Sequence, residues 1–242
     1  MFLEILNNAY LAGNKLLFVL IDPDHFQESE FQKLMQQAGI SGIDAILAGG
    51  SLLTRGNMET TIQTIKKYTS VPVCIFPGNY RQIDKHADAI LFMSLISGRN
   101  PEFLIGNQVV AAPVLKQMSL EIIPTGYMLI DGGKLTTAHY MSNTLPIPAD
   151  KPEIAASTAL AGQMLGMKCI YADAGSGAQQ SLTPAFVRTI CDEISIPLIA
   201  GGGIRTPQAA KSIYEAGATA IVIGNAAEQN PSMLTEIIQS KY

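Results

Sequence analysis

Apolar residues along this chain gather in short unbroken runs, and most of the runs close on glycine, aspartate or asparagine. Eight can be counted, at 16–22, 44–50, 72–78, 89–95, 121–130, 169–175, 197–203 and 220–225. Continuous runs of this length predict strands covered on both faces, which is the pattern of a parallel sheet. The stretches between them have helical spacing, as in Phe31, Leu34, Met35 and Ala38, or Ile213, Ala216 and Gly217. Asn100, Thr183, Thr206 and Asn230 each stand directly before a proline, a capping side chain followed by the residue best suited to a first helical position. The first residues (Phe2, Leu3, Ile5, Leu6, Tyr10, Leu11) form an amphipathic helix expected to close one end of the fold. Strand and helix alternating eight times predict an α/β chain folded as a (β/α)8 TIM barrel, with a doubly wound open sheet as the rival. No break in composition marks a second domain, so one barrel domain is expected over 1–242.

Two connections depart from the rhythm. The segment 79–87 is too short and polar for a full covering helix. The segment 131–150 is long and holds Gly132, Gly133, Pro146 and Pro148, which suits a lid or binding loop.

Composition narrows the function. Hydrophobic residues make up 48% of the chain and charged ones 15%, apolar enough to suggest a covered surface or a greasy groove. The net charge of −4 and the scattered basic residues give no electrostatic case for nucleic acid. Cys74, Cys169 and Cys191 have no metal-ligand spacing. With two of them inside predicted strands, they read as reduced core residues of a cytoplasmic protein. No run is long enough to span a membrane, and no signal peptide is visible.

The candidate chemistry sits at strand ends. The runs at 197–203 and 220–225 finish in Gly201, Gly202, Gly203 and in Gly224, Asn225. Bare backbone amides at the seventh and eighth strand ends of a barrel make a phosphate cup, although one such loop alone is better explained by a tight turn. The first run ends in Asp22, Pro23, Asp24, His25. Asp22 closes the apolar run directly, so it either holds a Mg²⁺–phosphate complex at the cup or, like Asp24, caps a helix beginning near Phe26. Ser51, after Gly49 and Gly50, either adds a hydroxyl to the same ion or serves as a turn residue. Asp173 lies just inside a Gly-Ser-Gly loop and either takes a proton from a bound hydroxyl or satisfies loop amides. His86 and His139 show no partner in the sequence, and no lysine closes a strand at this face; Lys134 stands in the long loop.

Five blocks at 21–24, 49–51, 171–177, 201–204 and 224–225 occur in an order and spacing that resembles the geranylgeranylglyceryl phosphate synthase family, prenyltransferases related to the heptaprenylglyceryl phosphate synthases. The stretches 100–108 and 123–127 look like its larger archaeal-type branch, which includes bacterial members. The resemblance implies transfer of a long prenyl group from its diphosphate to the 3-hydroxyl of sn-glycerol 1-phosphate, with release of diphosphate, in ether phospholipid biosynthesis. It implies Mg²⁺ held by Asp22 and Ser51. It implies sn-glycerol 1-phosphate bound by Tyr171, Ala172, Asp173, Ala174, Gly175, Ser176, Gly177, Gly202, Gly203, Gly224 and Asn225, with Asp173 and Asp22 catalytic. The family usually carries glutamate at the place of Asp173, one methylene longer. Phe76, Met93, Leu95 and Tyr127, near the ends of the third to fifth strands, either line an apolar trough for the prenyl chain or pack the barrel. Phe103, Leu104, Ile105, Val109 and Val110 either pack on their own barrel or meet another subunit. The branch forms dimers or hexamers, so a homodimer or homohexamer is implied, together with a transient membrane-surface contact for the lipid product. The competing readings are a phosphosugar isomerase or lyase using the same cup, which needs a second acid facing the first, and a non-catalytic phosphate binder.

Overall fold

The computed structural model describes residues 2–38, 42–224, 231–239 and 241. Eight parallel strands close into a barrel in sequence order: β1 (Leu16–Ile21), β2 (Ala45–Ala48), β3 (Val73–Ile75), β4 (Ala89–Leu95), β5 (Glu121–Leu129), β6 (Cys169–Asp173), β7 (Leu198–Gly201) and β8 (Ala220–Ile223). Closure is direct, Leu16 of β1 pairing with Ala220 of β8, so the doubly wound alternative is excluded. All eight predicted runs contain their strand. Seven ran past it, chiefly because polar and glycine residues such as Asp22, Gly50, Gly78, Gly175 and Gly203 belong to the loops of the barrel mouth.

The helices are α1 (Phe2–Ala12), α2 (Glu28–Ala38), α3 (Met58–Tyr68), α4 (Asn107–Leu115), α5 (Thr137–Ser142), α6 (Pro152–Met164), α7 (Pro184–Glu193), α8 (Pro207–Glu215) and α9 (Pro231–Gln239). Thr183 and Thr206 cap α7 and α8 by accepting from Phe186 N and Ala209 N, both at 3.2 Å. Asn100 instead starts a π-helical turn, Glu102–Gly106, that leads into α4; the remaining predicted cap, Asn230, lies outside the described residues. Helix α1 plugs the lower end as expected. It buries Phe2 and Leu6 against Phe18, and Glu121 accepts from the amides of Phe2 and Leu3.

Alternate strand residues build two apolar layers. Phe18, Leu47, Leu91, Ile123, Tyr171 and Ile199 fill the barrel, while Val19, Ile46, Ile90, Met128, Ala172 and Ala200 face the helices. After β3 the cover fails. The connection to β4 holds only a single 3₁₀ turn, Tyr80–Gln82, which leaves the outer side of the third and fourth strands partly unroofed. The long loop after β5 contains α5, a short helix the sequence pattern does not announce.

Candidate active site

One cavity of about 690 Å³ opens at the C-terminal mouth of the barrel. Its polar end gathers residues from β1, β2 and the late strands: Asp22, Ser51, Asp173, Ser176, Gly177, Gly202, Gly203 and Gly224 all line it. Its apolar arm passes both faces of β4, touching Leu91 and Met93 on the inside and Ile90 and Phe92 on the outside, then reaches Ile83, Ala111 and Leu115. That outer passage runs between β4 and α4, where the connection after β3 supplies only a 3₁₀ turn. Phe76, Met93, Leu95 and Tyr127 line the same cavity.

The two candidate carboxylates differ. Asp22 follows directly on β1, with its side chain one-third exposed. Its Oδ1 accepts from Asp24 N at 3.0 Å, its Oδ2 is 3.3 Å from His25 Nδ1, and it lies over the Gly49–Gly50 turn. Asp24 points elsewhere. It accepts from Thr54 N and Oγ1, Arg55 N and Gly56 N, at 2.6–3.0 Å, and so clasps the loop that follows Ser51. These bonds to the ionised form hold its pKa far below the usual carboxylate range. Neither acid caps a helix, since α2 starts only at Glu28; that reading of the pair is corrected.

Asp173 closes β6 and is buried. Its Oδ2 accepts the Tyr127 hydroxyl at 2.7 Å and its Oδ1 accepts Gly175 N at 2.7 Å. Burial raises its pKa, and those two donors, with a smaller contribution from His139, pull in the opposite direction. The Tyr127 phenol is itself pushed well up by burial and by the neighbouring carboxylate. Tyr171 lies under the site, stacked on Phe76 with ring centroids 5.0 Å apart. Ala172 and Ala174 pack into the helix-facing layer, and neither lines the cavity. The amide of Gly175 is already used by Asp173, whereas those of Ser176, Gly177 and Gly203 donate to no other described residue.

Those free amides lie beside two cations. Lys134 Nζ stands 3.5 Å from where a Cβ on Gly177 would be, and Arg205, which lines the cavity, is tied to the carbonyls of Ala178 and Gln179. Gly202 has φ +82°, and a Cβ there would sit 2.6 Å from Gly175 N and 2.8 Å from Asp173 Oδ1, so only glycine lets the β7 turn approach the acid. The corner thus combines unpaired donors, positive charge and a buried carboxylate, a set suited to a phosphorylated alcohol. Asn225, assigned to the same corner from the sequence, lies outside the described residues.

A profile of the PcrB family matches residues 11–241. The chain belongs to the PcrB family. It is 47% identical over 235 residues, 97% of this chain and 94% of the relative, to geranylgeranylglyceryl phosphate synthase of Spirosoma linguale. The enzyme of that name from Thermococcus gammatolerans is 42% identical, with 92% of this chain and 88% of the relative covered. Among solved structures, (S)-3-O-geranylgeranylglyceryl phosphate synthase from Thermoplasma acidophilum, in complex with substrate sn-glycerol-1-phosphate, superposes with a TM-score of 0.90 at 37% identity. That match covers 98% of this chain and 96% of the other. A sugar-phosphate epimerase from Clostridium perfringens, at 16% identity and a TM-score of 0.57, shares the barrel alone.

Several features of this PcrB-family site escape a reading of the sequence by blocks. Tyr127, expected in the apolar trough, also donates to Asp173. Strand parity carries a signal for this, since Tyr127 pairs with Tyr171 and Leu129 with Asp173, all four side chains pointing into the barrel or its mouth. Lys134 and His139 come from the long loop, where no periodicity places them. The imidazole of His139 is buried. Its Nδ1 meets Thr136 N at 3.0 Å and Thr136 Oγ1 at 2.9 Å, while its Nε2 has no partner among the described residues, a desolvation cost of about 1–3 kcal/mol.

Proposed function

We propose that this chain joins a long prenyl diphosphate, geranylgeranyl diphosphate or a similar donor, to the 3-hydroxyl of sn-glycerol 1-phosphate and releases diphosphate. The observation that carries the reading is the continuity of the cavity, which joins a corner of free amides and a buried carboxylate to an apolar arm running outside the strands. Burying each CH₂ of a twenty-carbon tail along that arm contributes about 0.8 kcal/mol. A phosphosugar enzyme has no use for the arm, and the second acid at this mouth, Asp22, is partly exposed and lies three strands round the barrel from Asp173.

In this reading the phosphate of the acceptor takes the amides of Ser176, Gly177 and Gly203, with Gly202 and Gly224 leaving room for it and Lys134 and Arg205 supplying charge. Asn225 joins them by resemblance. Asp173 takes the proton of the 3-hydroxyl as that oxygen bonds to the allylic carbon and the carbon–oxygen bond to diphosphate breaks. The raised pKa of Asp173 suits a base, and Tyr127 and Gly175 fix its two oxygens in place. Asp22 and Ser51 face the cavity from adjoining strands and fit Mg²⁺ brought in on the diphosphate. Mg²⁺ uses one or two protein oxygens beside phosphate oxygens and water, and among the described residues no three His, Cys, Asp or Glu side chains gather to hold an ion unaided. Bound there, the ion would neutralise charge growing on the leaving group.

Ile105, Val109, Val110 and Val114 are exposed along one edge of the α4 region, 46–63% each, which supports assembly of two or more copies through that face. No helix among the described residues is long and apolar enough to cross a membrane, so access to lipid substrate or product would be from the membrane surface.

Incubation with sn-glycerol 1-phosphate, radiolabelled geranylgeranyl diphosphate and Mg²⁺ tests the proposal. A lipid-extractable phosphate ester is the expected product. Absence of product with donors of every chain length would overturn it.

A further inference from the structure

The loop after β5 contributes a side chain that the proposed reaction does not use. His139 is the third residue of α5, and its Nδ1 meets both the backbone N and the hydroxyl of Thr136, the residue preceding the helix. A backbone N–H can only donate, so Nδ1 must accept, and the neutral imidazole carries its proton on Nε2. This is the reciprocal box that glutamate or glutamine ordinarily closes at this helical position. Thr136 in turn stands against Gly175: a Cβ on Gly175, whose φ is +91°, would lie 2.6 Å from Thr136 Oγ1. The amide of Gly175 is the one that donates to Asp173 Oδ1 at 2.7 Å. Imidazole, threonine, glycine amide and carboxylate therefore form one continuous chain of contacts.

We propose that His139 is the positioning residue of Asp173: an uncharged cap that holds Thr136 as the wall behind Gly175 and so keeps the Gly175 amide on the reacting carboxylate. The choice of histidine over the usual glutamate follows from the neighbourhood. Asp173 and Asp131 are the charged groups whose influence reaches the imidazole, and a glutamate here would set a third negative charge beside a carboxylate that burial already makes hard to ionise. Imidazole supplies the same acceptor without the charge. The proposal rests on Asp173 being the base of the reading above.

Three variants separate positioning from bulk stability, each with its kcat, its KM for sn-glycerol 1-phosphate, its pH profile and its melting temperature measured. H139A removes the acceptor, and kcat is expected to fall on the order of tenfold or more with KM little changed. H139Q restores an uncharged acceptor and is expected to recover most of that loss. H139E restores the box but adds the charge, and its acidic limb of kcat is expected to move to higher pH by roughly one unit. Nitrogen NMR of the wild type should show the Nε2–H tautomer at neutral pH. A Nδ1–H tautomer, an H139A variant with wild-type kcat, or equal losses with an unshifted pH profile in H139Q and H139E would overturn the proposal. Should H139A fail to fold, the pH profiles of H139Q and H139E decide alone. Wild-type protein that makes no product at all would instead overturn the reaction itself, while the tautomer would still report on the cap.

Discussion

The two halves of the barrel mouth solve opposite problems. On the side of β1 and β2 the carboxylate is partly wet: Asp22 is one-third exposed and meets a histidine that is itself mostly in solvent. On the side of β5 to β7 the carboxylate is dry, with both oxygens of Asp173 hydrogen-bonded and glycines pressed close around it. A wet carboxylate is open to solvent and can share a cation with a mobile polyanion. A dry one ionises reluctantly and keeps a fixed geometry toward a small alcohol. The difference argues for dividing the roles between ion holding and proton transfer, from environment rather than from residue type.

Substitution at each acid breaks the comparison in a different way. Asp22→Asn is expected to cost the most, about 10³-fold in turnover, with an unchanged melting temperature and a raised Mg²⁺ requirement in a titration of initial rate. Asp173→Asn is expected to cost about 10²-fold in kcat with little effect on KM for glycerol phosphate. It should also melt higher at neutral pH. The sign follows from the raised folded-state pKa: the stability contributed by protonated Asp173 is complete below the ordinary 3.8 and is lost as pH rises through the higher folded value. Asparagine carries no such loss, so calorimetry at two pH values separates the acids even before any product is assayed.

Tyr127→Phe sharpens the contrast on the dry side. It removes a hydrogen bond to the charged form, which is expected to cost roughly tenfold in kcat at neutral pH. It should also move the acidic limb of the rate profile upward, because the hydroxyl is one of the groups lowering the pKa of Asp173. Lys134→Ala has the smallest effect: KM for glycerol phosphate rising a few fold, less so at high salt, with kcat unchanged at saturation. A wild-type KM in that variant would remove Lys134 from the phosphate corner.

The barrel was legible because its strands are apolar on both faces, so continuous runs such as those around Ile46 and Ile199 stand out against the polar connections. Strand ends were less legible. The Asp22 and Gly203 that finish two of the runs look like strand continuation in sequence, yet they belong to the mouth where backbone turns toward the cavity. The gap after β3 could be read from its polarity, and the gap is what lets the cavity reach the outside of β4. The carboxylates could be named, but the partners of Asp24 could not, because Thr54, Arg55 and Gly56 meet it only through loop geometry. His139 was hidden for the same reason, thirty-four positions before Asp173 in a loop without a period.

The Asp24 clasp has a practical consequence for anyone scanning this strand end with alanine. Both acids of the pair would score as essential, one through its own oxygens and the other because releasing Thr54, Arg55 and Gly56 sets Ser51 adrift. Activity screening alone would merge them into a single motif. Thermal unfolding tells them apart, since the bonds to ionised Asp24 stabilise the folded chain above the ordinary carboxylate pKa of 3.8, and that contribution drains away as the pH falls below it.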